Sequence, residues 1–63
     1  MFIEIDDKLI NLDNVTSIFK FGKECIRICF LVERDYIDIK KESEEELNRV
    51  WEWLRDVVYK IGR

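Results

Sequence analysis

Apolar residues recur at three- and four-residue spacing through the last third of the chain, which is the pattern of an amphipathic helix. The stripe consists of Leu47, Val50, Trp51, Leu54, Val57, Val58 and Ile61. Ser43 precedes it, and its hydroxyl can cap the first turn while Glu46 reaches back to the Ser43 amide. Gly62 follows the stripe and suits the left-handed conformation that ends many helices. The pattern predicts a helix over about 44–61.

The residues before Ser43 alternate between apolar and polar positions in short runs, which favours β-strands. Turn-forming pairs separate the runs at Asp6-Asp7, Asp13-Asn14, Gly22-Lys23 and Arg34-Asp35. The pattern predicts five strands, at about 1–5, 9–12, 15–21, 24–33 and 36–40.

Consecutive strands joined by short turns need no crossover connection, so the simplest assembly is an antiparallel meander. The predicted fold is therefore α+β: a four- or five-stranded β-meander with one C-terminal α-helix packed on one face, in a single domain over 1–63. Whether the N-terminal hairpin joins the main sheet is left open by the sequence. The expected inward positions are Ile3, Ile5, Ile10 or Leu12, Phe19, Phe21, Ile26, Ile28, Phe30, Val32, Ile37 and Ile39.

The opposite face of the sheet is unusual, because a solvated face carries mostly polar residues. Here the outward positions include several apolar side chains, and contiguous patches of this kind mark association surfaces. Trp53 lies about 100° from the centre of the helix stripe, where it either covers the sheet edge or serves as an exposed binding anchor. The candidate interaction surface comprises Ile18, Cys29, Leu31, Tyr36 and Trp53.

Composition restricts the chemistry of this chain of 63 residues. It contains no histidine, the commonest acid–base residue near neutral pH, and only two glycines, too few for a glycine-rich phosphate loop. Its carboxylate pairs fall at turns, where aspartate is expected for backbone reasons. We therefore expect no enzymatic activity, no catalytic residue, and no cofactor or metal site.

The two cysteines, Cys25 and Cys29, fall four residues apart on one face of a predicted strand. At about 3.3 Å per residue their Cα atoms are roughly 13 Å apart, whereas a disulfide needs about 7 Å or less. Two free thiols are expected, as in a reduced cytoplasmic compartment. The opening segment lacks the basic start and apolar core of a signal peptide, and no run approaches the length of a membrane span, which also predicts a cytoplasmic protein.

The order of a short strand ending in Asn11-Leu12, a turn, Val15 and Ile18 resembles a recurring arrangement in small bacterial, archaeal and phage proteins. With the later Ile37 and the helix start at Glu42, Ser43, Glu45 and Glu46, the chain is similar to the FlbD/SwrD family of small flagellar proteins. The resemblance implies a meander-plus-helix shape and an accessory, non-enzymatic role, and it transfers no functional residue.

The expected function is a small protein-interaction or self-association module, most simply a homodimer, since a chain this short lacks a comfortable core, disulfides and metals. The alternative is a single-stranded nucleic-acid-binding protein that uses the open sheet face. Aromatic and basic side chains interleaved on a sheet can stack bases; the candidates are Phe2, Lys20, Lys23, Arg27, Tyr36 and Lys40. The net charge of −3 weighs against nucleic acid and leaves a protein partner favoured.

Overall fold

The computed structural model describes residues 1–31 and 35–61 and contains five antiparallel strands followed by one helix, which confirms the α+β meander. In chain order the elements are β1 (Phe2–Ile5), β2 (Lys8–Asn11), a short 3₁₀ turn (Leu12–Asn14), β3 (Val15–Lys20), β4 (Cys25–Phe30), β5 (Tyr36–Lys40) and α1 (Glu44–Ile61).

The strands divide into two sheets, a β1–β2 hairpin and a three-stranded sheet in the order β3–β4–β5. A two-residue turn joins β1 to β2, with Ile5 opposite Lys8. Both turn residues have positive φ, 49° at Asp6 and 64° at Asp7, as hairpin turns that match strand twist require. The Asp6 carboxylate also accepts a 2.7 Å bond from Lys41 Nζ, which ties the turn to the chain just after β5.

The hairpin between β3 and β4 has a longer loop than the sequence predicts. Phe21 N donates to Cys25 O at 2.8 Å, so three residues, Gly22 among them, connect the strands. A two-residue loop at Gly22-Lys23 would pair Phe19 with Ile26; the observed loop pairs Phe19 with Arg27. Because side chains alternate with a period of two, this one-residue shift reverses the faces of the residues from Ser17 to Phe21, whereas the irregularity between Val15 and Ser17 leaves Val15 opposite Phe30.

The predicted inward positions Phe19 and Phe21 are therefore wrong, and so is the outward position of Ile18. Ile18 lies opposite Ile28 on the helix side of the sheet and packs against the core. Lys20 lies opposite Ile26 on the same side, and its Nζ donates to Asn48 Oδ1 at 2.9 Å. The long lysine stem lets an inward position keep its charge at the surface.

The core is built from side chains of the three-stranded sheet, the β1–β2 hairpin and α1. Its fully packed members are isoleucines from four strands and two helix leucines: Ile3, Ile5, Ile10, Ile26, Ile28, Ile39, Leu47 and Leu54. Val50, Trp51 and Val57 pack against this cluster but are only partly buried, so Trp51 is less central than the stripe predicts.

The helix begins where its sequence signal places it. Ser43 Oγ accepts a 3.2 Å hydrogen bond from Glu46 N, and Leu47 N donates to Ser43 O at 3.1 Å. The predicted Gly62 cap, the turn at Arg34 and the inward position of Val32 lie outside the described residues.

Candidate interaction surface

The sheet face turned away from α1 brings together side chains from all three strands. Cross-strand pairing aligns Phe19 with Arg27 and Asp38, and aligns Cys29 with Tyr36. Directly opposed residues of an antiparallel pair project to the same face. We call this surface the outer face; it consists of Ser17, Phe19, Phe21, Cys25, Arg27, Cys29, Tyr36, Asp38 and Lys40.

Arg27, on the central strand, organises the outer face. Its Nε and Nη2 atoms donate to Asp38 Oδ1 and Oδ2 at 2.8 and 3.1 Å, a bidentate pair with the geometry that suits guanidinium and carboxylate. The guanidinium carbon also lies 4.0 Å from the ring centroid of Phe21 and 4.1 Å from that of Tyr36. One cation on β4 therefore joins an aromatic ring and a carboxylate of β5 with the ring of Phe21, the residue that follows β3.

This arrangement keeps both partners of the pair ionised. The hydrogen bonds from Arg27 lower the pKa of the Asp38 carboxyl below its usual value. The same bonds to Asp38 raise the pKa of the Arg27 guanidinium. The centre of the outer face is thus a neutralised charge pair, and neither group is poised to exchange a proton near neutral pH.

The two thiols also lie on this face and are free. Cys25 is buried, and burial, followed by repulsion from the Asp38 carboxylate, raises the pKa of its thiol. A raised pKa keeps the thiol protonated, which is the opposite of what a nucleophilic cysteine needs. Cys29 is partly exposed beside Tyr36. Across the described ranges, no group of three or more His, Cys, Asp or Glu residues could hold a metal ion.

The outer face exposes large aromatic side chains. Relative exposures are 39% for Phe19, 52% for Phe21 and 53% for Tyr36. Leu31, directly after β4, is 69% exposed. In the described part of the chain no element packs on this side of the sheet, because the buried residues of the hairpin and α1 join the cluster around Ile26 and Ile28.

The structure separates the five residues of the predicted surface. Cys29 and Tyr36 lie together on the outer face, and exposed Leu31 follows the strand that carries Cys29. Ile18 faces the helix instead. Trp53 is 43% exposed on α1, about 200° around the helix axis from Trp51. It lies neither on the outer face nor among the helix residues that pack against the core.

Phe19 and Phe21 are the outer-face residues that the sequence pattern missed. Their signal was the length of the loop before Cys25: a three-residue loop places Phe21 opposite Cys25 and therefore outward. Of the residues expected to contact nucleic acid, Arg27, Tyr36 and Lys40 lie on the outer face. Lys20 points to the helix side, and Phe2 belongs to the separate hairpin.

No protein-family model matches the chain, and comparisons with curated proteins and with solved structures found no significant match. The resemblance to the FlbD/SwrD family therefore stays a prediction. The one helix of the described chain is not apolar enough to cross a membrane.

Proposed function

We propose that this protein is a small, non-enzymatic interaction module that forms a two-fold homodimer through its outer face. The observation that carries the proposal is the cluster of exposed Phe19, Phe21 and Tyr36 around Arg27, on a sheet face that the described elements leave open. Aromatic residues and arginine are the residue types most enriched where proteins bind each other.

The charges of the outer face suit a second copy of the same surface. In a two-fold interface the residues near the axis approach their own symmetry mates, so an unpaired charge at the centre would be repelled by its copy in the other chain. Here Asp38 already neutralises Arg27 within one chain. The remaining exposed cation, Lys40, pairs across the sheet with Cys25 near one end of the face, where solvent can keep it hydrated.

The size of the outer face predicts a weak dimer. Six residues of β4 span about 20 Å, and three strands span roughly 14 Å, a footprint of roughly 300 Å². Stable interfaces bury about 800 Å² of accessible surface per partner, which a face of this size does not reach. We therefore expect a weak dimer, of the kind found in transient or regulated association.

Free thiols and the absence of a metal cluster in the described residues fit a small module that gains stability by association in a reducing compartment. On this proposal the protein acts in the cytoplasm.

The test compares two leucine-to-lysine variants that differ only in location. Leu31→Lys places a charge beside the outer face, whereas Leu9→Lys changes an equally exposed leucine, 72% accessible, on the hairpin. The thermal unfolding midpoint of the wild type should rise with protein concentration, since association stabilises the folded state by mass action. Leu31→Lys should abolish that dependence, and Leu9→Lys should retain it. A midpoint independent of concentration in all three proteins contradicts the proposal.

The second candidate, single-stranded nucleic-acid binding, is favoured by the same three exposed rings beside Arg27 and Lys40. The response to added salt distinguishes dimerisation from nucleic-acid binding. Added salt screens repulsion between two copies of net charge −3 and should leave the dimer intact or strengthen it. Binding of a labelled oligothymidylate should weaken steeply as salt rises. Salt-sensitive oligothymidylate binding, without dimerisation, would assign the outer face to nucleic acid.

A further inference from the structure

A groove of about 440 Å³ runs between β3 and the C-terminal half of α1, on the opposite side of the sheet from the outer face. Its walls are mostly apolar and include Leu12, Val15 and Ile18 on one side and Trp51 and Val58 on the other. Its volume falls within the range of about 300–1,000 Å³ that ligand-binding clefts occupy. Val58 is 41% exposed there, although it belongs to the apolar stripe of the helix.

Among the described elements, the strand along this groove pairs on one edge only. β3 is an outermost strand of its sheet, and the bond from Phe21 N to Cys25 O fixes which residues face β4. Because the direction of backbone groups alternates in an antiparallel ladder, the amides and carbonyls of Ile18 and Lys20 point away from β4. Unpaired groups of this kind are the template to which an extended peptide adds as a further strand.

A charged lysine and irregular pairing commonly keep a strand edge from pairing with another chain, but here they leave part of the β3 edge accessible. Lys20 carries its charge away from the edge, since its Nζ binds Asn48 and lies 5.5 Å from the Trp51 ring centroid, at one end of the groove. The irregularity between Val15 and Ser17 ends regular pairing at the start of β3. The usable edge is therefore the second half of the strand, beside Ile18.

The charge of the groove differs from that of the whole protein. The chain has a net charge of −3, yet the lining contains no aspartate or glutamate among the described residues and does contain Arg55. Arg55 Nη1 lies 3.9 Å from Glu52 Oε1, and its guanidinium carbon lies 5.7 Å from the ring centroid of Tyr59, yet the Arg55 side chain is still 49% exposed beside the groove. An apolar groove beside such a cation is complementary to an apolar segment that carries an acidic residue.

We infer that this groove is a second docking site, for an extended segment of a partner protein that alternates apolar side chains and carries an acidic residue. The segment pairs with the free edge at Ile18 and Lys20, inserts apolar side chains between β3 and α1, and sets its carboxylate beside Arg55. This site is independent of the outer face, so it can link the proposed dimer to another protein.

The probe is a capped, dye-labelled peptide of about six residues, the length of β3, that alternates valine and threonine and ends in glutamate. Fluorescence anisotropy with the full chain should give saturable binding, with a dissociation constant on the order of 100 µM for so short a peptide. The same peptide with N-methyl groups on consecutive amides should lose binding, because neither of its edges can then form the ladder.

Two pairs of variants locate the peptide. Arg55→Glu should weaken binding of the glutamate-ended peptide roughly fivefold and favour a lysine-ended version. Arg49→Glu, the same charge change elsewhere on the exposed helix surface, should have little effect. Val58→Lys should abolish binding, while Leu9→Lys, which changes an exposed leucine outside the groove, should not.

Three results overturn the inference: no saturable binding, equal binding of the N-methylated peptide, or equal effects of Arg55→Glu and Arg49→Glu. Binding of sodium decanoate without peptide binding would assign the groove to a small amphiphile. If the dimer persists in Leu31→Lys but is lost in Val58→Lys, the groove would be the binding site for a second copy of the chain. If the unfolding midpoint of Leu31→Lys no longer depends on protein concentration but the variant still binds the peptide, the groove and the outer face are two distinct sites.

Discussion

Asp7 adopts a left-handed backbone conformation, with φ at 64°, in the turn between β1 and β2. Aspartate tolerates this region better than most residues, but glycine does so without steric cost. Asp7→Gly should therefore stabilise the protein slightly in urea unfolding, because relief of the left-handed strain, about 1–2 kcal/mol, outweighs the added chain entropy of glycine, about 0.5–1 kcal/mol. The matched change Asp6→Gly should gain less, since it also removes the bond to Lys41. A net loss of stability in Asp7→Gly would contradict the turn geometry.

The two tryptophans differ in how far the helix buries them. Trp51 packs against the core and makes a cation–π contact with Lys20 Nζ, so Trp51→Ala should cost about 2–3 kcal/mol. Trp53 is 43% exposed, and Trp53→Ala should cost about 1 kcal/mol or less. Urea unfolding measures both values, and equal losses would mean that the helix is rotated from its described position.

Asp38 gives stability a defined pH dependence. The hydrogen bonds from Arg27 lower the pKa of the Asp38 carboxyl in the folded state below its usual value, so the folded state favours the ionised form. The contribution of the Arg27–Asp38 pair to the free energy of unfolding is present in full above the pKa of the carboxyl in the unfolded chain. It is lost as the pH falls through the lower pKa of the folded state. The stability difference between wild type and Asp38→Asn should therefore shrink below about pH 4. A difference that stays constant from neutral to acidic pH would show that the pair is not formed.

At the scale of elements, the register of β3 decides which residues form the outer face. With Ile18 inward and Phe19 outward, Ile18→Ala should destabilise the protein by about 1.5–3 kcal/mol, because its side chain packs on the core. Phe19→Ala removes a larger side chain but should cost about 1 kcal/mol or less, since Phe19 is exposed. If urea unfolding showed a larger loss of stability for Phe19→Ala than for Ile18→Ala, β3 would instead have the register of the two-residue loop.

The helix and the strands differ in how well their sequences predict them, for physical reasons. The signals of α1 are local: Ser43 caps its own first turn, and the stripe from Leu47 to Leu54 needs only the helical period. The face of β3 depends on one loop residue between Phe21 and Cys25, and a period of two turns a one-residue error into a complete reversal. Cys29 and Tyr36 were predictable as neighbours because their strands were placed correctly. Phe19 and Phe21 were missed because hydrophobicity alone suggested that they face inward.

At the scale of the whole molecule, the chain presents two different surfaces on opposite sides of one sheet. The outer face is aromatic with a neutralised centre around Arg27, whereas the groove beside Ile18 has mostly apolar walls with the partly exposed Arg55 beside them. A domain of 63 residues buries only about 60% of the surface of its unfolded chain, so covering either surface adds substantially to stability. Association is therefore expected to be part of how this fold is stabilised.

The most direct test of the outer face is sedimentation equilibrium of the wild-type protein at protein concentrations on the order of tens of micromolar. The proposed dimer predicts a mass that rises with concentration from one chain toward two, and a return to one chain in Leu31→Lys but not in Leu9→Lys. A stably folded single species with the mass of one chain, at every concentration, would contradict it.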